Sequence, residues 1–126
     1  MQLVLEASKT IEAPTGEEIA KALPAARFAR IDSEPDSKSY IQFGRSRKRG
    51  IRLEYQAASL HKHYRALDPA LTIDRVVTAF QKYAAGDESW QLDFQWEKLE
   101  VITIHGQEVL AYFPSVKKLG DHTAEP

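Results

Sequence analysis

One long helix is written into this chain, and the remainder has to be folded around it. Thr72 stands at the N-cap position, where a side-chain oxygen can accept from a backbone amide one turn on. Leu71 and Val76 have the spacing of a hydrophobic staple. Ile73, Val76, Val77, Phe80, Tyr83 and Ala84 recur with helical period and make a broad apolar stripe, with Arg75, Thr78 and Lys82 on the other side. Gly86 supplies the left-handed stop. A stripe of this width has to be covered, and most of what remains reads as strand. Gln2–Glu6, Arg27–Asp32, Tyr40–Phe43 and His61–Leu67 are short apolar or β-branched segments between turn residues. In Ile51–Gln56 the residues Ile51, Leu53 and Tyr55 point one way and Arg52, Glu54 and Gln56 the other, so one face is buried and one is wet. Ser33–Ser39 and the glycine-bounded Gly44–Gly50 are turns, and Val101–Ile104 with Val109–Phe113 form a final hairpin around His105-Gly106. A second, short helix starts at a capping box of Thr15 and Glu18 and stops at Pro24.

The expected fold is therefore α+β: a single domain over residues 1–119, with an antiparallel sheet of about five or six strands. The Thr72–Ala85 helix packs on one face and a short N-terminal helix lies at an edge, with a disordered polar tail over 120–126. A chain of 126 residues, 43% apolar and 28% charged, has room for one core. It contains no cysteine, which excludes disulfides and thiolate chemistry. The N-terminus lacks a basic region followed by a long apolar stretch, and no apolar run approaches the length of a membrane span, so a cytoplasmic protein with no membrane partner is expected.

Net charge is −1, but unevenly spread. Arg45–Arg65 holds seven cations against the single anion Glu54, and Asp87–Glu100 holds five anions against Lys98. Such blocks steer association with a charged partner, or are ordinary solvated faces. No nucleophile elbow, phosphate-binding loop or zinc signature is present, so no catalytic residue, cofactor or metal ligand is assigned. His61 and His63 would share a strand face, but a zinc site wants further ligands. Arg45, Arg47, Lys48 and Arg49 could contact nucleic-acid phosphates, with Tyr40, Tyr55 and Tyr64 stacking on bases. The parity of Tyr55 with Ile51 and Leu53 and a pI near 6.4 weigh against that. In Asp87–Glu97, helical spacing aligns Trp90 with Phe94 and Leu92 with Trp96 on different faces, so one pair can fill the core while the other stays available. An exposed Trp90 rimmed by Asp87, Glu88 and Asp93 would be a binding hot spot; a buried one would close the core.

The strings LEYQ (Leu53–Gln56), HYRA (His63–Ala66) and LTIDRVVTAFQKYAAGD (Leu71–Asp87), followed by Trp90, Phe94, Trp96 and Glu97, resemble the first-numbered family of bacterial immunity proteins. These belong to polymorphic toxin systems and include partners of nucleic-acid deaminase toxins. The resemblance is one of pattern and spans Ile51–Leu99. It implies a non-enzymatic inhibitor that binds a cognate protein toxin. Two interfaces follow from it: the acidic stretch Asp87, Glu88 and Asp93 imitating phosphates in a toxin's channel, or the basic hairpin Arg45, Arg47, Lys48 and Arg49 capping an acidic patch. The alternative is a small nucleic-acid-binding or regulatory module using Arg45–Arg65.

Overall fold

In a computed structural model, which describes residues 1–6, 9–33 and 38–112, the chain is a single α+β domain. Seven antiparallel strands form one sheet in the order β2-β1-β3-β4-β5-β6-β7: β1 Gln2–Leu5, β2 Thr10–Glu12, β3 Phe28–Asp32, β4 Tyr40–Ser46, β5 Gly50–Gln56, β6 His63–Ala66 and β7 Trp96–Lys98. A separate hairpin pairs β8 Val101–Ile104 with β9 Gln107–Leu110. Its turn has positive φ at both His105 and Gly106, as a two-residue hairpin of this hand requires. The main sheet exceeds the five or six expected strands because β2 and β7, three residues each, join its two edges. The expected tail over 120–126 and the expected last strand residue Phe113 lie outside the described residues.

The helices form where their local chemistry directs. In α1 (Gly16–Ala22) the Thr15 hydroxyl accepts from the Glu18 amide at 3.1 Å, and the Glu18 carboxylate accepts from the Thr15 amide at 2.9 Å. Pro24 then shifts the chain into a 3-10 turn over Leu23–Ala25. In α2 (Ile73–Ala84) Thr72 caps the start by accepting from the Arg75 amide, and Gly86 follows the end with φ +76°. Gln81 Nε2 of α2 donates to the Gly16 carbonyl, tying the two helices together.

Both helices cover the same sheet face. Leu3, Ala29, Ile31, Ile41, Phe43 and Leu53 project from β1, β3, β4 and β5 into a core closed by Ile19 of α1, by Leu23 of the 3-10 turn after it and by Val76, Ala79 and Phe80 from α2. Phe43 and Phe80 meet edge to face with centroids 5.8 Å apart. Toward β7 the core becomes aromatic: Tyr55 stacks on Tyr64 at 4.9 Å and receives the edges of Trp90 and Trp96 at 4.8 and 4.7 Å. No helix among the described residues is long and apolar enough to cross a membrane. Truncating Phe80→Ala removes the largest side chain that α2 buries and leaves a cavity against Phe43. It is expected to lower unfolding stability by about 3–5 kcal/mol, whereas Thr15→Ala, which removes one exposed cap, is expected to cost about 1 kcal/mol; urea melts of the two variants test the order.

Candidate partner-binding site

The basic turn is shorter than its glycines suggest. Ser46 pairs with Gly50 across the β4–β5 hairpin, which leaves only Arg47, Lys48 and Arg49 in the loop. Gly50 adopts φ +70°, the left-handed residue that closes a three-residue hairpin loop, and the Arg49 amide donates to Ser46 Oγ at 3.1 Å. Arg47, Lys48 and Arg49 are exposed. Arg45 is not part of this group. Its Nε donates to the Ala26 carbonyl at 2.9 Å and a second guanidinium N–H donates to the Pro24 carbonyl, so the side chain braces the 3-10 turn after α1. Of the seven cations between Arg45 and Arg65, Arg65 is also engaged, donating to Glu97 at 2.9 Å. Among the described residues no carboxylate lies within ion-pair distance of Arg47, Lys48, Arg49 or Arg52.

The acidic segment behaves differently. Glu88–Asp93 is a 3-10 helix whose N-cap is Asp87, accepting from the Ser89 amide at 3.0 Å. That amide bond, with Lys82 nearby, holds the Asp87 carboxyl below the ordinary range. Asp93 accepts from Lys82 Nζ at 2.8 Å, which in turn raises the Lys82 ammonium above its usual value. Arg75 donates to the Asp93 carbonyl and to the Asp68 carboxylate, and its guanidinium lies over the Phe94 ring at 4.6 Å. Burial pushes the Asp68 carboxyl up, but the Gln95 amide and Arg75 outweigh this and hold it low. Arg75 and Lys82, read as facing water, are thus the ties that hold this segment on α2. All three carboxylates expected at the site are exposed, but Asp87 is bound to the Ser89 amide and Asp93 to Lys82.

The tryptophans settle on the core side. Trp90 is 3% exposed and packs on Tyr55, Tyr83 and Trp96, so it offers no anchor to a partner. Its helical partner Phe94 is buried too. The second pair divides: Trp96 is half-buried, with its indole N–H donating to the Gln91 carbonyl, and Leu92 stands 87% exposed. Tyr55, packed against the core, is stacked on the half-buried Tyr64, and it meets Trp90 and Trp96 as well.

The face without helices among the described residues carries two long cross-strand rows beside the shorter Phe28, Gly44, Arg52. One runs Val4, Arg30, Gln42, Glu54, Arg65, Glu97; the other runs Gln2, Asp32, Tyr40, Gln56, His63. Wet along most of its length, this face is nevertheless dry beside Tyr112, where Glu54, Gln56 and His63 are buried. Gln56 donates its amide N–H to the Lys38 carbonyl at 2.8 Å, which turns its oxygen toward His63 Nδ1 at 3.0 Å and Tyr40 at 3.2 Å. Glu54 Oε1 lies 2.6 Å from His63 Nε2 and accepts from the Tyr112 phenol at 2.9 Å. Both ring nitrogens of His63 therefore lie within hydrogen-bond distance of a side-chain oxygen. His61 does not share the strand face. It falls in the 3-10 turn Leu60–Lys62 and meets Glu108 at the surface. Among the described residues no group of three or more metal-ligating side chains converges.

Beside this network, a cleft of about 320 Å³ opens between β5 and the chain that follows β6. Arg49, Arg52 and Arg65 line it with Glu54, Asp68 and Tyr112, and Ile51, Leu53, Leu67 and Leu71 supply its apolar wall. Sequence reasoning singled out Arg49 but not Arg52, whose alternation with Ile51 and Leu53 was the available signal. Comparison of the chain with protein-family models, with curated proteins and with solved structures finds no match.

Two outcomes follow from the buried network. His63→Leu leaves Glu54 buried without its partner and is expected to cost about 3–5 kcal/mol, and the double variant with Glu54→Leu is expected to cost less than the two single changes together. Burial, reinforced by the Glu54 carboxylate, pushes the phenols of Tyr40 and Tyr112 up, and burial does the same for Tyr55 and Tyr83. The native state then holds more protons than the unfolded chain, whose phenols titrate near ~10. Stability is accordingly expected to be intact below that pH and to fall as pH rises through it, with native phenolate absorbance lagging that of the urea-unfolded protein.

Proposed function

We propose that this protein is an immunity protein: it binds a cognate bacterial toxin and silences it by contact, with the β4–β5 hairpin as the leading part of its surface. The pattern over Ile51–Leu99 motivates the family, and the charge inventory chooses between the two interfaces. Asp87 and Asp93 are already engaged with Ser89 and Lys82, so the phosphate-mimicking mechanism is left with Glu88. Arg47, Lys48, Arg49 and Arg52 stand exposed with no carboxylate partner among the described residues, and this is the observation that carries the reading. Four uncompensated cations on one hairpin attract an acidic patch on a partner, speed encounter and reject like-charged surfaces. An inhibitor of this kind works in the cytoplasm of the cell that makes the toxin. The acidic patch it caps would sit beside the toxin's own site, so that the hairpin blocks access.

The product of a neighbouring toxin gene, mixed with the purified protein, is expected to form a stable complex and lose its activity. The variant carrying Arg47→Glu and Lys48→Glu is expected to slow association by roughly tenfold or more at low salt and to lose most of the salt dependence, while Glu88→Lys leaves the rate within about twofold, because rim charges act chiefly on encounter. Failure of every neighbouring candidate to bind at micromolar concentration would remove the reading.

A further inference from the structure

We infer that the cleft beside β5 receives an extended segment of a partner protein in which acidic and apolar residues alternate, added to the sheet as a strand. β5 pairs with β4 along its whole length, but with β6 only from Glu54 to Gln56. On the other side of Gly50–Leu53 no described residue completes the ladder, so this stretch offers its backbone as a sheet edge. The gap exists because the chain leaves β5 after Ala66. The Leu67 amide donates to the Gln95 carbonyl at 2.8 Å, and Asp68 is fixed by the Gln95 amide and by Arg75. The far wall is thus held back by three hydrogen bonds and the cleft is preformed.

The two faces of the gap differ in chemistry. On the helix side an incoming strand would meet Ile51, Leu53, Leu67 and Leu71; on the other side it would meet Arg52 and Arg65. Side chains of an added strand alternate between those faces, so apolar and acidic residues have to alternate along it. Charge decides that the polar positions are acidic. Arg65 is paired with Glu97, Glu54 with His63 and Asp68 with Arg75, which leaves Arg49 and Arg52 as cleft charges with no ion-pair partner among the described residues. Its volume of about 320 Å³ suits a few residues of the segment, with the rest of the partner outside. This inference goes beyond the toxin-inhibitor reading and holds for any partner presenting such a strand.

The test titrates the nitrogen-15-labelled full chain with a capped octapeptide of alternating valine and glutamate. The amides of Gly50–Leu53 are expected to shift and to gain protection from exchange, with binding weakened by salt. Arg52→Glu, at an exposed position, is expected to weaken binding by roughly tenfold or more, whereas Arg52→Lys retains it to within a few fold. A valine–lysine peptide, a block peptide of the same composition and a peptide N-methylated at alternate positions are expected to fail. The inference is overturned if millimolar peptide leaves these amides unmoved, or if the valine–lysine peptide binds equally well. Protection of Gly50–Leu53 before any peptide is added overturns it too, since residues 113–126 or a second copy would then hold the edge. So does a single-stranded oligonucleotide that shifts the same amides more tightly than the peptide.

Discussion

A seven-stranded sheet presents two faces to be shielded from water, and the two α-helices among the described residues reach only one of them. On that face the stripe of α2 closes over Phe43, Ile41 and Leu53, with Phe80 at its centre. The other face has to be settled sideways, strand to strand, and where Tyr112 lies on it the polar groups lose their water. A buried carboxylate, imidazole and amide each cost free energy unless paired. Glu54, His63 and Gln56 meet that condition together with Tyr40 and Tyr112, so removing any one leaves the others stranded. This interlock joins β4, β5 and β6 to the chain that follows β9.

What could be read from the sequence was what local hydrogen bonds decide. The Thr15–Glu18 box, the Thr72 cap, the Gly86 stop and the His105-Gly106 turn each involve residues within four positions of one another, and each stands where it was expected. β2 and β7 were not legible, because three residues carry no periodicity and both strands exist only through pairing with distant partners. The apparent wet face of Ile51–Gln56 was legible as polar but not as buried, since its cover comes from Tyr112, far along the chain.

At the candidate site the sequence located the charges but not their engagements. Arg45 reads like its neighbours Arg47 and Arg49, yet it is bound to two carbonyls some twenty residues earlier. Asp87 and Asp93 likewise belong to the local architecture of the 3-10 segment. Trp90 illustrates the same point for apolar groups: helical spacing divided the aromatic residues into two sets, but only the arrival of Tyr55 and Tyr83 decides which set is covered. A residue's type limits what it can do, and its tertiary neighbours select among those roles.

The bracing of Arg45 against Pro24 and Ala26 has a consequence for recognition. A long hairpin anchored only through its own ladder would sway, and meeting another molecule would require that freedom to be given up. Here the loop end of β4 is riveted to the turn behind α1, and the Arg45 amide adds a further bond to the Arg27 carbonyl. Its three terminal side chains keep their rotameric freedom while the stalk beneath them is already stiff, so contact at the tip immobilises arginine and lysine side chains and little backbone.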